Sequence, residues 1–301
     1  MLHPIVSLFP PVKDHPFFEI PNRPAFEPRP SAASGFSRAN AWWLAEMSLL
    51  AYDEPPLIRS ALAKGDFKLA GSVNGESTQG FVAEGNGVVI VAFRGTQVFI
   101  PGVHPIRSLK GVLADSITDA QAGLVDALPA TVGRVHSGFA KAVNEVKKEL
   151  DEILDRTGND GRPLWLTGHS LGGAMAILTA TRLGKRVQGV YVYGSPRVGD
   201  ASFGKAVNDR IVCFVHGSDP VAQVPPLEAR VPLLPATGPP APSGMYHQLG
   251  RVVTFERVRL PGVVPGLLNF GARLLERLNF EQLNLIDHAP LLYVRHFRSR
   301  L

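Results

Sequence analysis

Pro163-Leu164-Trp165-Leu166-Thr167-Gly168-His169-Ser170-Leu171-Gly172-Gly173-Ala174-Met175-Ala176 is the stretch whose reading decides the fold. A short apolar run suited to a buried strand leads into Gly-x-Ser-x-Gly, and an Ala- and Leu-rich helix continues to about Arg182. Strand, tight turn, helix is the context a nucleophile elbow demands. Such a turn is strained and tolerates only very small residues two before and two after the serine. Gly168 and Gly172 stand there, and Gly173 and Ala174 let the new helix approach the sheet. The turn lifts the Ser170 hydroxyl clear of the backbone at the positive end of a helix, where developing negative charge is favoured. The pentapeptide alone also fits an ordinary helix N-cap serine; its flanks select the nucleophile.

Outward from this centre the chain keeps alternating strands and helices. Residues 187–193 read as the next strand and end in Gly194-Ser195-Pro196-Arg197-Val198-Gly199. A short helix is expected over 201–207. Residues 210–215 form a further strand that delivers His216-Gly217-Ser218-Asp219-Pro220, and residues 251–255 another. Upstream, the apolar runs 81–83 and 88–93 flank Glu84-Gly85-Asn86-Gly87, a hairpin signal, and the second run leads into Arg94-Gly95-Thr96. Phe139, Val143, Val146, Leu150 and Ile153 share one helical face, with Lys147, Lys148, Glu149 and Asp151 turned outward. That helix crosses over to the strand at Leu164, which implies parallel pairing.

The ends and the gaps are less regular. Prolines at 4, 10, 11, 16, 21, 24, 28 and 30 make residues 1–38 an extended arm, and Phe17, Phe18 and Phe26 are expected to lay it on the body of a single domain, 39–301. Residues 39–52 are helical, with Trp42 and Trp43 packed on the core. Residues 97–134 are apolar without a clear period, a pattern that marks functional segments. A Pro-rich loop is expected over 225–242. Leu267, Phe270, Leu274, Leu275 and Leu278 make a helical stripe, and Asp287-His288 is expected to open the last helix.

Composition bounds the function. Hydrophobic residues make up 45% of the 301, enough for a sizeable core and against a disordered chain. The net charge of +5 is modest, and the basic residues of the last fifty come without an aromatic-plus-basic nucleic-acid motif, so no nucleic-acid partner is expected. Cys213, the single cysteine, allows no intrachain disulfide and reads as a buried small hydrophobe. No stretch reaches the ~18 apolar residues of a membrane span. Prolines interrupt the first apolar run, so the expected location is cytoplasmic, with export by a route lacking a cleaved signal as the alternative. Oligomeric state is left open.

A serine nucleophile needs a base, and the base a carboxylate that orients it. In elbow folds the chain order is serine, acid, histidine. Among the acids after Ser170, only Asp219 stands just beyond the carboxyl end of an expected parallel strand; an Asx-turn role is its rival. Of the later histidines, His247 precedes a strand, His296 lies in the basic tail, and His288 sits in a turn that a loop could hold over the sheet. His169 is read as packing behind the elbow. No His-x-x-x-His or Cys/His spacing marks a metal site, and no cofactor is expected.

Phe93-Arg94-Gly95-Thr96, Val135-His136-Ser137-Gly138-Phe139, Gly168-His169-Ser170-Leu171-Gly172-Gly173, Tyr193-Gly194-Ser195-Pro196-Arg197-Val198-Gly199 and Asp219-Pro220-Val221 resemble, in order and spacing, the class 3 (fungal-type) lipases. The resemblance runs from about Ala39 onward. It implies an α/β-hydrolase fold, a mostly parallel central sheet flanked by helices, and a serine carboxylic ester hydrolase acting on lipid esters, at a lipid–water interface. It implies Ser170 as nucleophile, Asp219 as acid, His288 as base, Thr96 and the Leu171 amide as oxyanion hole, and a lid within about 97–113. The chain differs from the fungal pattern in a longer segment after Thr96, no disulfides and a long Pro-rich loop before His288. A phospholipase A1, an acyltransferase or a short-chain esterase would use the same triad; a non-catalytic lipid-binding relative would not need it.

Overall fold

The computed structural model describes residues 8–10, 12, 14–31, 35–76, 78–96, 124–127, 133–157, 161–203, 205, 208–225, 246–256 and 285–301. The expected lid, the stripe 267–278 and most of the Pro-rich loop lie outside them. Among the described residues, seven strands form one sheet: β1 (Phe67–Asn74), β2 (Gln79–Gly85), β3 (Val88–Phe93), β6 (Leu164–His169), β7 (Val187–Tyr193), β8 (Ile211–His216) and β9 (Arg251–Phe255), in that spatial order. β1, β2 and β3 are antiparallel neighbours, and from β3 to β9 every pairing is parallel. A separate pair, β4 (Leu124–Asp126) and β5 (Arg134–His136), lies antiparallel. The hairpin between β2 and β3 turns on Asn86 and Gly87, both at positive φ (48° and 71°), the two-residue turn whose twist matches its strands.

Among the described residues, five helices complete the frame: α1 (Arg38–Leu50), α2 (Pro55–Lys64), α3 (Ser137–Arg156), α4 (Leu171–Leu183) and α5 (Pro290–Arg298). Side chains alternate across each strand, so the sheet feeds two cores. One face carries Ile90, Ala92, Trp165, Tyr191, Tyr193 and Phe214 against α1 and α5. The other carries Val89, Val91, Leu166, Val190, Val192 and Cys213 against α3 and α4. Phe17, Phe18 and Phe26 of the proline-rich arm are buried in the first core, where Phe18 stacks on Trp43 at 5.1 Å and Phe26 meets the edge of Trp165 at 5.5 Å. Trp42 and Trp43 are core residues, as their spacing implies. Cys213 is buried and its thiol is pushed up to about 12 by burial.

Three local readings need correction. α2, absent from the sequence reading, begins at Pro55-Pro56; proline suits the first helical positions because its missing N–H has no partner there. The expected helix over 201–207 is a turn at residues 201–203, because Asp200 Oδ1 captures the amides of Ser202 and Phe203 at 3.0 Å each. The last helix starts at Pro290 rather than at Asp287: residues Leu285–His288 form a 3-10 turn, and Ala289, extended ahead of a proline (φ −64°, ψ 125°), separates the two.

Candidate active site

Parallel order brings the carboxyl ends of β3, β6, β7 and β8 to one edge of the sheet, so the segments after Phe93, His169, Tyr193 and His216 converge there. Ser170 joins β6 to α4 at φ 57°, ψ −130°, a conformation side chains rarely adopt. The turn is held by the Ser170 amide donating to the Tyr193 carbonyl (2.9 Å) and by the Gly173 amide donating to the Ser170 carbonyl (2.9 Å). A Cβ at Gly168 would overlap the Gly172 carbonyl, and one at Gly172 would overlap the Phe93 carbonyl. These contacts are backbone against backbone, so nothing can yield. Ser170 is 7% exposed.

Thr96 follows Gly95, and a Cβ at Gly95 would lie 3.1 Å from Ser170 Cβ, so β3 ends directly beside the serine. Leu171 is the first residue of α4, half-buried, with its amide among the first-turn donors that have no partner inside the helix.

Asp219 is fully buried in the loop after β8, and His288 Nδ1 lies 3.0 and 2.9 Å from its two oxygens. Asp219 Oδ1 also accepts the Val221 amide (2.9 Å), and Oδ2 accepts the Tyr293 hydroxyl (2.5 Å). An ionised carboxylate accepting donors at this density is held in one orientation. Burial and the Asp219 carboxylate push the Tyr293 hydroxyl well above its usual range, so it stays a donor. Asp287 Oδ2 accepts the Ser218 amide at 2.8 Å and ties the histidine loop to the aspartate loop. Gly194, at φ 56°, is the floor of this corner: a Cβ there would overlap Asp219 Oδ2 and lie 2.9 Å from His288 Nδ1.

The rivals fall elsewhere. His247 is exposed and paired through its backbone with the Gly199 carbonyl (2.8 Å), while His296 stacks on Phe255 at 3.6 Å. His169 packs behind the elbow, its ring 4.4 Å from that of His288. The other quoted motifs are scaffolding. His136 caps α3, its Nδ1 accepting the Gly138 amide at 3.1 Å. Arg197 donates to the carbonyls of Gln223 and Pro225 and steadies the chain beyond Asp219. Tyr293 was missed in the sequence. Tyr293 stands five residues after His288, inside Asp-His-Ala-Pro-Leu-Leu-Tyr, and only the fold shows that it turns back onto Asp219.

With this geometry in place, comparison with known proteins shows what the chain resembles. The sequence model of Lipase (class 3) matches residues 90–229, which span Arg94 to Asp219. Over this stretch, just under half of its length, the chain is similar to the class 3 lipases. A secreted mono- and diacylglycerol lipase A of Penicillium cyclopium is 33% identical over 156 residues, 49% of this chain and 47% of the relative. Secreted mono- and diacylglycerol lipase 1 of Fusarium solani is 38% identical over 102 residues, 31% of this chain and 30% of the relative. The chain therefore spans less than half the length of these curated relatives. The structure of lipase II from Rhizopus niveus superimposes with a TM-score of 0.52 at 22% identity, over 66% of this chain and 77% of that one, and confirms the α/β-hydrolase fold. These relatives also correct the expected compartment: they are named as secreted, which points outside the cell and not to the cytoplasm. Among the described residues no helix is long and apolar enough to cross a membrane.

Proposed function

We propose that this chain hydrolyses carboxylic esters of acylglycerols by two-step acyl transfer, with Ser170 as nucleophile, His288 as base and Asp219 as the acid that orients it. The observation that carries this reading is the buried Asp219–His288 pair, 2.9 Å apart, at the same edge of the sheet as a serine held at positive φ on a strand-to-helix turn. His288 takes the Ser170 proton as the hydroxyl attacks the ester carbonyl. Asp219, on Nδ1, fixes the tautomer that leaves Nε2 as the base and stabilises the imidazolium that forms. The oxyanion is held by the amides of Thr96 and Leu171, donors worth about 3 kcal/mol each in comparable sites. His288 then returns the proton to the leaving alcohol, and water, deprotonated by the same histidine, releases the acid.

The relatives' names, mono- and diacylglycerol lipase, support acylglycerols as the substrate class. In the same reading the proline-rich arm belongs to one hydrolase domain, to which its phenylalanines contribute core. Hydrolysis of p-nitrophenyl esters from acetate to palmitate, with Ser170→Ala alongside, tests the proposal. Long-chain turnover that vanishes in Ser170→Ala is expected. Turnover that survives that substitution would remove Ser170 from the mechanism, and turnover confined to short chains would remove acylglycerols as substrate.

A further inference from the structure

Behind the serine a chain of hydrogen bonds runs through two buried side chains that the acyl-transfer steps do not use. Tyr52 Oη lies 2.8 Å from His169 Nδ1, and His169 Nε2 lies 2.7 Å from the backbone carbonyl of His288. Tyr52 Oη also sits against the Gly95 backbone: a Cβ on Gly95 would overlap it. Elementary chemistry fixes the direction of every link. A carbonyl can only accept, so His169 Nε2 carries the hydrogen. Burial, then the neighbouring His288, pushes the His169 imidazole well below its usual range, so the ring is neutral and Nδ1 is a bare acceptor. Tyr52 must then donate to Nδ1, with its oxygen packed against the Gly95 backbone.

Each end of this chain is a moving part of the proposed reaction. Gly95 precedes Thr96, His169 precedes Ser170, and the last acceptor is the peptide of His288 itself. Tyr52 is placed by α1, which is pinned to the sheet: Thr167 Oγ1 lies 3.1 Å from the Leu44 carbonyl, and Tyr193 Oη donates to the Ala41 carbonyl at 2.5 Å. A helix locked to β6 and β7 thus presents one hydroxyl at the meeting point of three separate segments.

We infer that Tyr52 and His169 are positioning residues, a one-way hydrogen-bond chain that holds the oxyanion strand end, the serine turn and the base loop in register. The inference rests on the acyl-transfer reading above, and the experiment separates the two. Steady-state hydrolysis of p-nitrophenyl butyrate is measured for the wild type, Ser170→Ala, Tyr52→Phe, His169→Gln, His169→Leu and the Tyr52→Phe/His169→Gln double variant, with thermal melting of each. Tyr52→Phe is expected to lower kcat about tenfold while KM stays within about twofold, since misplacement of reacting groups costs rate and not binding. His169→Gln, which keeps a donor and an acceptor, should retain more kcat than His169→Leu. The double variant should cost no more than its worse parent, because one chain is broken once. Unchanged kcat in Tyr52→Phe with only a lowered Tm would overturn the inference. Full activity in Ser170→Ala would instead sink the acyl-transfer reading.

A second measurement needs no substitution at either residue. 15N NMR of the histidine rings in Ser170→Ala should show His169 as the neutral Nε2–H tautomer from pH 5.5 to 8.5. An Nδ1–H tautomer, or titration within that range, would overturn the direction of the chain and with it the inference.

Discussion

The serine turn and the Asp219–His288 corner share one edge of the sheet but are built in opposite ways. The turn is a single run of residues, 163–176, whose geometry is enforced by backbone against backbone: Gly168 on Gly172, and Gly172 on Phe93. The corner is gathered from segments up to 74 residues apart and is held by side chains: Tyr293, Asp287 and His288 meet the loop that carries Asp219. A motif made of steric necessities fails as a fold. A motif made of polar partners fails as chemistry while the fold survives.

The sharpest test of that contrast is Asp219→Asn, which keeps the shape of the corner and changes which histidine tautomer it selects. The amide presents a donor to Nδ1 as readily as an acceptor. A loss of kcat of about 10⁴-fold is expected, the size such a tautomer error produces in a triad. The same variant should melt within a few degrees of the wild type. A kcat within tenfold of wild type would take Asp219 out of the proposed mechanism.

A pair of glycine substitutions sets the two constructions side by side. Gly172→Ala drives a methyl into the Phe93 carbonyl, and the strand cannot retreat without leaving the sheet. It should lose several kcal/mol of stability, read as a fall in soluble yield and Tm, since strain and overpacking at a special backbone position lie among the largest single-residue effects. Gly194→Ala drives a methyl toward Asp219 Oδ2 and His288 Nδ1, which are side-chain atoms that can move. Its φ of 56° adds strain, but the main loss should be about a hundredfold in kcat, with a smaller fall in Tm. The reverse ranking, in which Gly194→Ala unfolds and Gly172→Ala is only slow, would break the comparison.

The same contrast explains what could be read from residues alone. The turn was legible because strand, small residues and helix are contiguous, and because only glycine fits where carbonyls approach so closely. The parallel order of β3, β6, β7 and β8 followed from one crossover helix, and Asp219 from its place after β8. His288 was reached through a family resemblance, since spacing left His247 and His296 open. Tyr293 and Tyr52 were illegible for a physical reason. Their roles depend on how α5 and the end of α1 dock on the sheet, and an apolar helix face carries no record of which hydroxyl will meet which distant acceptor. The start of α5 was misread because Asp287-His288 resembles a helix opening, while Pro290, two residues on, fits the first helical position better.

The smallest expected effect concerns the support behind the corner. His296 on α5 stacks on Phe255 of β9, and its Nδ1 accepts from Arg300 at 2.9 Å. Burial, then the charges of Arg300 and His216, push its imidazole down to about 3. The folded protein therefore refuses a proton that the unfolded chain accepts near its usual pKa of about 6.5. A depressed folded pKa contributes stability that is fully present above about pH 6.5 and is lost progressively as pH falls toward 3. His296→Phe keeps an aromatic ring on Phe255 and removes the titrating nitrogen. The fall in Tm between pH 7 and pH 4.5 should be smaller in the variant by about 2–4 °C, the size of a 1 kcal/mol effect in a domain of this class. His216, one of the groups that depress His296, also faces Asp287 at 3.6 Å, which links α5 to the corner. Kinetics at the same pH values separate the two routes: His296→Phe should shift the acid limb of stability and leave the acid limb of kcat/KM where the wild type has it. A joint shift of both limbs would mean that α5 and the corner respond as one unit, and the corner would then extend to His296.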